Sequence, residues 1–173
     1  MRKACLQYLV LPLLFFPVLL FGCAPHLQLV EGGRYSDPQG YFELTLPQKN
    51  GWQLLSWEDV DFTLWHQKEG ATIVVNVTSL KEDVDLATLA RHLLIAFERK
   101  QIISQSTVTI DEREALKTVL KGWVEKTEVK AEAYVVQGKG VVYDIIFWAP
   151  SDAFPRKVEA FRQLLVGINF LQP

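Results

Sequence analysis

The hydrophobic patterning predicts an α+β fold in which helices lie on an antiparallel sheet within a single domain. Three observations carry that expectation. Period-two apolar runs, the mark of half-buried strands, stand on both sides of one segment with helical periodicity, and a second helical segment closes the chain. Successive strand runs are separated by short glycine-bearing turns, Lys68-Glu69-Gly70 and Gln137-Gly138-Lys139-Gly140, of the kind that join antiparallel neighbours. No repeat, low-complexity tract or second linker divides the region after residue 34.

Residues 1–22 have the layout of an export signal: Arg2 and Lys3, an apolar stretch from Leu9 to Phe21, then the small Gly22. The stretch is shorter than the roughly 20 residues needed to span a bilayer, and Pro12 and Pro17 interrupt it. The run Leu20-Phe21-Gly22-Cys23 resembles the lipobox of bacterial lipoproteins, with Phe21 in place of the usual smaller residue. That resemblance implies cleavage before Cys23 and acylation of its thiol. Ala24 stands where an aspartate would retain a lipoprotein at the inner membrane, so the expected location is the bacterial cell envelope, on the periplasmic face of the outer membrane if the source is Gram-negative. Residues 23–34, with Pro25 and Gly32-Gly33, read as the lipidated cysteine and a tether reaching no more than about 40 Å. The folded domain is expected over 35–173.

Within it, Tyr41 to Leu46 alternates and stops at Pro47 as a strand should, and a turn falls at Asn50-Gly51. Phe62 to Gln67 and Thr72 to Val77 are β-rich runs forming a hairpin. From Asp85, a good N-cap, Leu86, Leu89, Ala90, Leu93, Leu94 and Phe97 make one apolar stripe, which predicts a helix to Lys100. Strands are predicted at Gln105 to Ile110, Leu116 to Val124, Val129 to Val136 and Val141 to Trp148. Pro155 suits the first turn of a second helix, with Val158, Phe161, Leu165 and Ile168 on its buried face and an end near Gly167.

This order, with Tyr35-Ser36-Asp37-Pro38, the run Gly40 to Pro47, and Gly51-Trp52 at the front, resembles the superfamily of photosystem II PsbP, the Ran-binding Mog protein and the DcrB-like lipoproteins. Gly140-Val141-Val142-Tyr143, Ile145-Ile146-Phe147, Phe161 and Asn169-Phe170 are similar to that family's last strand, last helix and closing hydrophobic strand. The resemblance covers Tyr35 to Phe170. It implies a PsbP-like α/β/α sandwich and an accessory or binding role, and supplies no catalytic residues.

Composition narrows the function classes. The two cysteines are Cys5 and Cys23, so the domain itself has no thiol for a disulfide, a metal or a nucleophile. The formal net charge is -2, and loss of Arg2 and Lys3 makes it more negative, which argues against nucleic acid as a partner. Membrane attachment then rests on acyl chains on Cys23. His26, His66 and His92 show no ligand spacing, and no serine sits in a nucleophile elbow. Clusters such as Glu58-Asp59 with Asp61 lack the pattern of a calcium loop and read as solvated charge. Asp144 interrupts an apolar strand and is expected either to pair with a lysine or arginine or to face water at a sheet edge.

Trp52, Trp57, Trp65, Trp123 and Trp148 are the remaining candidates. Core packing is the expectation for most, and Trp57 is the exception, placed beside acids in a loop where its ring can meet a sugar or a partner. Ile95 lies opposite the apolar stripe of its helix and joins Trp57 as a candidate binding surface. The function expected is that of a noncatalytic, lipid-anchored accessory or scaffolding factor for an envelope protein partner, without cofactor or metal. The alternative is a binder of a small glycan or lipid in a tryptophan-lined cleft.

Overall fold

The computed structural model describes residues 28–29, 33–47, 51–57 and 59–171. The export signal, Cys23 and most of the 23–34 segment lie outside the described residues. In chain order the elements are β1 (Gln28–Leu29), β2 (Gly33–Ser36), β3 (Phe42–Leu46), β4 (Trp52–Leu55), β5 (Phe62–His66), β6 (Ala71–Ser79), α1 (Leu86–Leu93), β7 (Glu98–Ile110), β8 (Arg113–Val124), β9 (Thr127–Gln137), β10 (Val141–Pro150), α2 (Phe154–Val166) and β11 (Asn169–Phe170). Eight strands form one antiparallel sheet in the order β1-β4-β5-β6-β10-β9-β8-β7, and β11-β3-β2 form a second, small sheet.

Strand alternation sends the residues of β10 to two cores. Tyr143, Ile145, Phe147 and Ala149 pack with Phe154, Val158, Phe161 and Leu164 of α2. Val142 packs with Leu89 and Ala90 of α1, and Ile146 with Leu94 and Phe97. The two helices therefore lie on opposite faces of the sheet, which is the α/β/α sandwich. Pro155 is in the first turn of α2 and Gly167 caps its end, as the sequence indicates. A buried ionic cluster fixes α2 to the sheet: the Glu132 carboxylate on β9 accepts hydrogen bonds from Tyr134 (2.7 Å) and Arg162 (2.9 Å), with Lys117 Nζ at 3.1 Å. Burial alone would push the Glu132 carboxyl up, but these three donors together hold it below its ordinary value.

One expectation needs correction. The first helix does not run to Lys100. It ends at Leu93, passes through a 3-10 turn at Leu94–Ala96, and gives way to β7 at Glu98. Cross-strand pairing of Glu98 with Trp123 outweighs the helix propensity of Glu98-Arg99-Lys100, and the strand absorbs the sharp change with a bulge and a positive φ of 44° at Arg99. Phe97 still reaches the core, in extended rather than helical conformation. Gln28–Leu29 pairs with β4 and Gly33–Ser36 with β3, so strand pairing is present on both sides of Tyr35. β4 starts at Trp52, directly after the turn at Gly51, and β3 belongs to the small sheet.

Candidate functional site

The second face of the main sheet is only partly covered. α1 is eight residues long, about 12 Å, and it packs on β8 and β9. Among the described residues no α-helix covers the same face of β4, β5 and β6. Register fixes which side chains share that face. Trp65, Thr72 and Trp148 stand in one cross-strand row, Val74 beside Ile146 in the next, and Asn76 beside Asp144 in the third.

The uncovered face is a groove. Its deeper part, about 300 Å³, is lined by Val60, Val74, Phe97 and Ile146, with Asp59, Asn76 and Asp144 as the polar groups. Its broader part, about 580 Å³, reaches Leu55, Trp65, Val129 and Pro150. Trp57, Val124 and Trp148 line both parts, which adjoin at these side chains. The loop carrying Trp57 is tied down just beyond it: the Tyr35 hydroxyl donates to the Asp61 carbonyl at 3.0 Å, and the Val77 amide to the Asp61 carboxylate at 2.7 Å. A hollow of about 500 Å³ elsewhere, between Asp111, Glu112, Lys139 and Asn169, is polar loop surface.

Asp144 meets neither sequence expectation. It is on an interior strand between β6 and β9, and its Oδ1 is buried without a hydrogen-bond partner among the described residues. Burial pushes its carboxyl up to about 6. Gln53 Oε1 and Thr63 Oγ1 are also buried without such a partner, on residues paired across strands with Trp65 and Val74, but they line neither part of the groove. Buried acceptors are nearly always satisfied in folded proteins, so an apolar groove with the orphaned Asp144 Oδ1 in its lining marks a place built to meet something.

Of the residues singled out from sequence, Trp57 is 42% exposed and sits where both parts of the groove meet. Ile95 is 70% exposed in the 3-10 turn. Its neighbours Ala96 and Phe97 line the groove, and Ile95 does not. Cys23 and His26 lie outside the described residues. Trp52 is a core residue with its ring edge-on to His66, whose Nδ1 accepts from the Glu69 amide. Trp123 is half-buried under the Arg99 guanidinium, 5.6 Å from its ring. His92 is exposed, as its helix position indicates. Sequence reasoning missed Trp65 and Trp148 as site residues. The available signal was parity: Trp148 and Asp144 share one side of a strand whose other side, Tyr143, Ile145 and Phe147, is wholly apolar and aromatic.

No protein-family model matches the sequence, and no curated protein matches it. Solved structures do. Cyanobacterial PsbP (CyanoP) from Synechocystis sp. PCC 6803 is 15% identical, with a TM-score of 0.62 over 87% of this chain and 98% of that one. LpqN of Mycobacterium tuberculosis, described as involved in cell envelope biogenesis, is 16% identical, with a TM-score of 0.58 over 86% of this chain and 92% of that one. PA94 from Pseudomonas aeruginosa is 13% identical, with a TM-score of 0.51 over 79% and 95%. At these identities the likeness establishes a PsbP-like fold, and fold does not assign a task.

Proposed function

We propose that this chain is a noncatalytic accessory protein of the bacterial cell envelope, held to a membrane by acyl chains on Cys23 and acting by binding a small apolar ligand in the tryptophan groove. The observation that carries the binding role is the shape and lining of the groove: concave, apolar, ringed by Trp57, Trp65 and Trp148, with few polar groups. A docking site for a protein is commonly broader and flatter, whereas a small-molecule site is a cleft with a few convergent polar atoms. The lipobox-like run at Cys23 supports the anchor, and the likeness to LpqN supports the envelope setting.

A second reading, a scaffold for an envelope protein partner, is favoured by β7. That strand is at the edge of the main sheet, and Ile102 and Ile103 on it are exposed. An exposed edge strand offers backbone groups to a partner's strand.

Two measurements test the proposal. Cys23→Ser should abolish incorporation of labelled fatty acid and release the protein from membranes; continued labelling refutes the anchor. Trp57→Ala should leave the thermal midpoint nearly unchanged and weaken ligand capture by about 2 kcal/mol or more, as truncation of a binding aromatic does. Normal capture would remove the groove from the function.

A further inference from the structure

We propose that the groove takes a single amphiphile with a primary ammonium head, the head seated at Asp144 and the alkyl chain running past Ile146 toward Trp148 and Trp65. This rests on the groove being the binding site and names the chemistry it selects.

Charge supplies the first argument. The ionisable side chains lining the deeper part are Asp59 and Asp144, both acids, with no lysine, arginine or histidine among the lining. An anionic head would meet the largely buried Asp144 carboxylate, with the exposed Asp59 at the rim, and like charges repel more strongly beside a desolvated group than in bulk water. A cation meets the reverse.

Hydrogen bonding supplies the second. Asp144 Oδ1 is buried with no donor among the described residues, on the side of β10 that faces the groove. A carboxylate in that position binds best to a group bringing both donors and positive charge, and a primary ammonium brings three donors and one charge.

Shape supplies the third. Asp144, Ile146 and Trp148 follow one another on one side of β10, with Asn76, Val74 and Thr72 beside them on β6. At about 3.4 Å per residue the carboxylate and the indole are about 14 Å apart along the strand. Along β10 a carboxylate stands at one end, an aliphatic side chain in the middle and an indole ring at the other end, where Thr72, Thr127 and Glu125 line the rim of the broader part. That is the profile of an extended chain with a single charged terminus.

The test uses the purified full chain and three probes of equal tail length, decylammonium, decanol and decyl sulfate, each below its micelle concentration, followed by tryptophan emission. Decylammonium is expected to bind saturably and at least tenfold more tightly than decyl sulfate. Asp144→Asn should weaken decylammonium at least tenfold and leave decanol unchanged, with the far-ultraviolet circular dichroism of the parent. Trp148→Ala should weaken decylammonium and decanol alike. Equal affinity for the three probes, or an Asp144→Asn variant that keeps the preference for decylammonium, would overturn the ammonium head and leave the groove standing as an apolar site. Absence of saturable binding by any probe would overturn both.

Discussion

Replacing Asp144 by asparagine should make the protein more stable at neutral pH. Burial lifts the carboxyl from its ordinary 3.8 to about 6 in the folded state. Between those values the folded protein holds a proton that the unfolded chain has lost. Its contribution is therefore most favourable below pH 4, falls as pH rises through that window, and levels off at its least favourable above about pH 6. At about 1.36 kcal/mol per unit, the ionised side chain costs the fold about 3 kcal/mol at pH 7. Asparagine keeps the shape and removes the charge. Its gain should approach about 2 to 3 kcal/mol at pH 7, or about 6–10 °C in thermal midpoint for a domain of this size, and vanish near pH 3.5. Thermal unfolding of both proteins from pH 3.5 to pH 8 measures it, and contributions of other ionisable groups cancel in the difference. A gain independent of pH, or an asparagine variant less stable than the parent at pH 7, would refute the burial argument.

Glu132 should behave with the opposite sign. Its folded value is held down by Arg162, Tyr134 and Lys117 against the effect of burial, so its contribution is present above its unfolded value and disappears as pH falls. Glu132→Gln should cost about 2–4 kcal/mol at pH 7 in urea unfolding, because it takes one partner from a buried ionic cluster. A loss under about 1 kcal/mol would show that α2 does not depend on the cluster. Phe97→Ala should cost about 3 to 5 kcal/mol, since the ring is 4% exposed and packs with Leu120, Ala131 and Ile146. A small loss would place that side chain in solvent.

Long patterned elements could be read from the sequence, and short or tertiary-determined ones could not. The last helix was legible because Pro155, the stripe Val158 to Ile168 and Gly167 all agree. The hairpin of β9 and β10 was legible through its glycine turn, where Gly140 takes a φ of 72°. β1 has two residues and β4 has four, too few to show a period. The end of α1 was obscured because Phe97 falls on the helical stripe and also on the strand-side cluster, so both conformations bury it. Burial thus cannot tell them apart, and the pairing of β7 with β8 decides.

The site was legible as residues and illegible as a place. Tryptophan count and the oddity of Asp144 stand in the sequence. What assembles them is a helix too short to cover the sheet, together with a register that lines up Trp65, Thr72 and Trp148. Neither follows from local pattern. Ile95 shows the converse: its exposure was expected from the stripe and is observed, yet it lines no part of the groove.

The claim that the groove is the working surface is tested most directly in the native envelope, with a photocrosslinking residue introduced by Trp57→p-benzoylphenylalanine and, as comparator, by Ser104→p-benzoylphenylalanine on the exposed edge strand β7. Intact mass spectrometry after irradiation reads the outcome. A small-mass adduct at position 57 and none at position 104 is the predicted result; no adduct at 57, with a protein captured at 104, would contradict it.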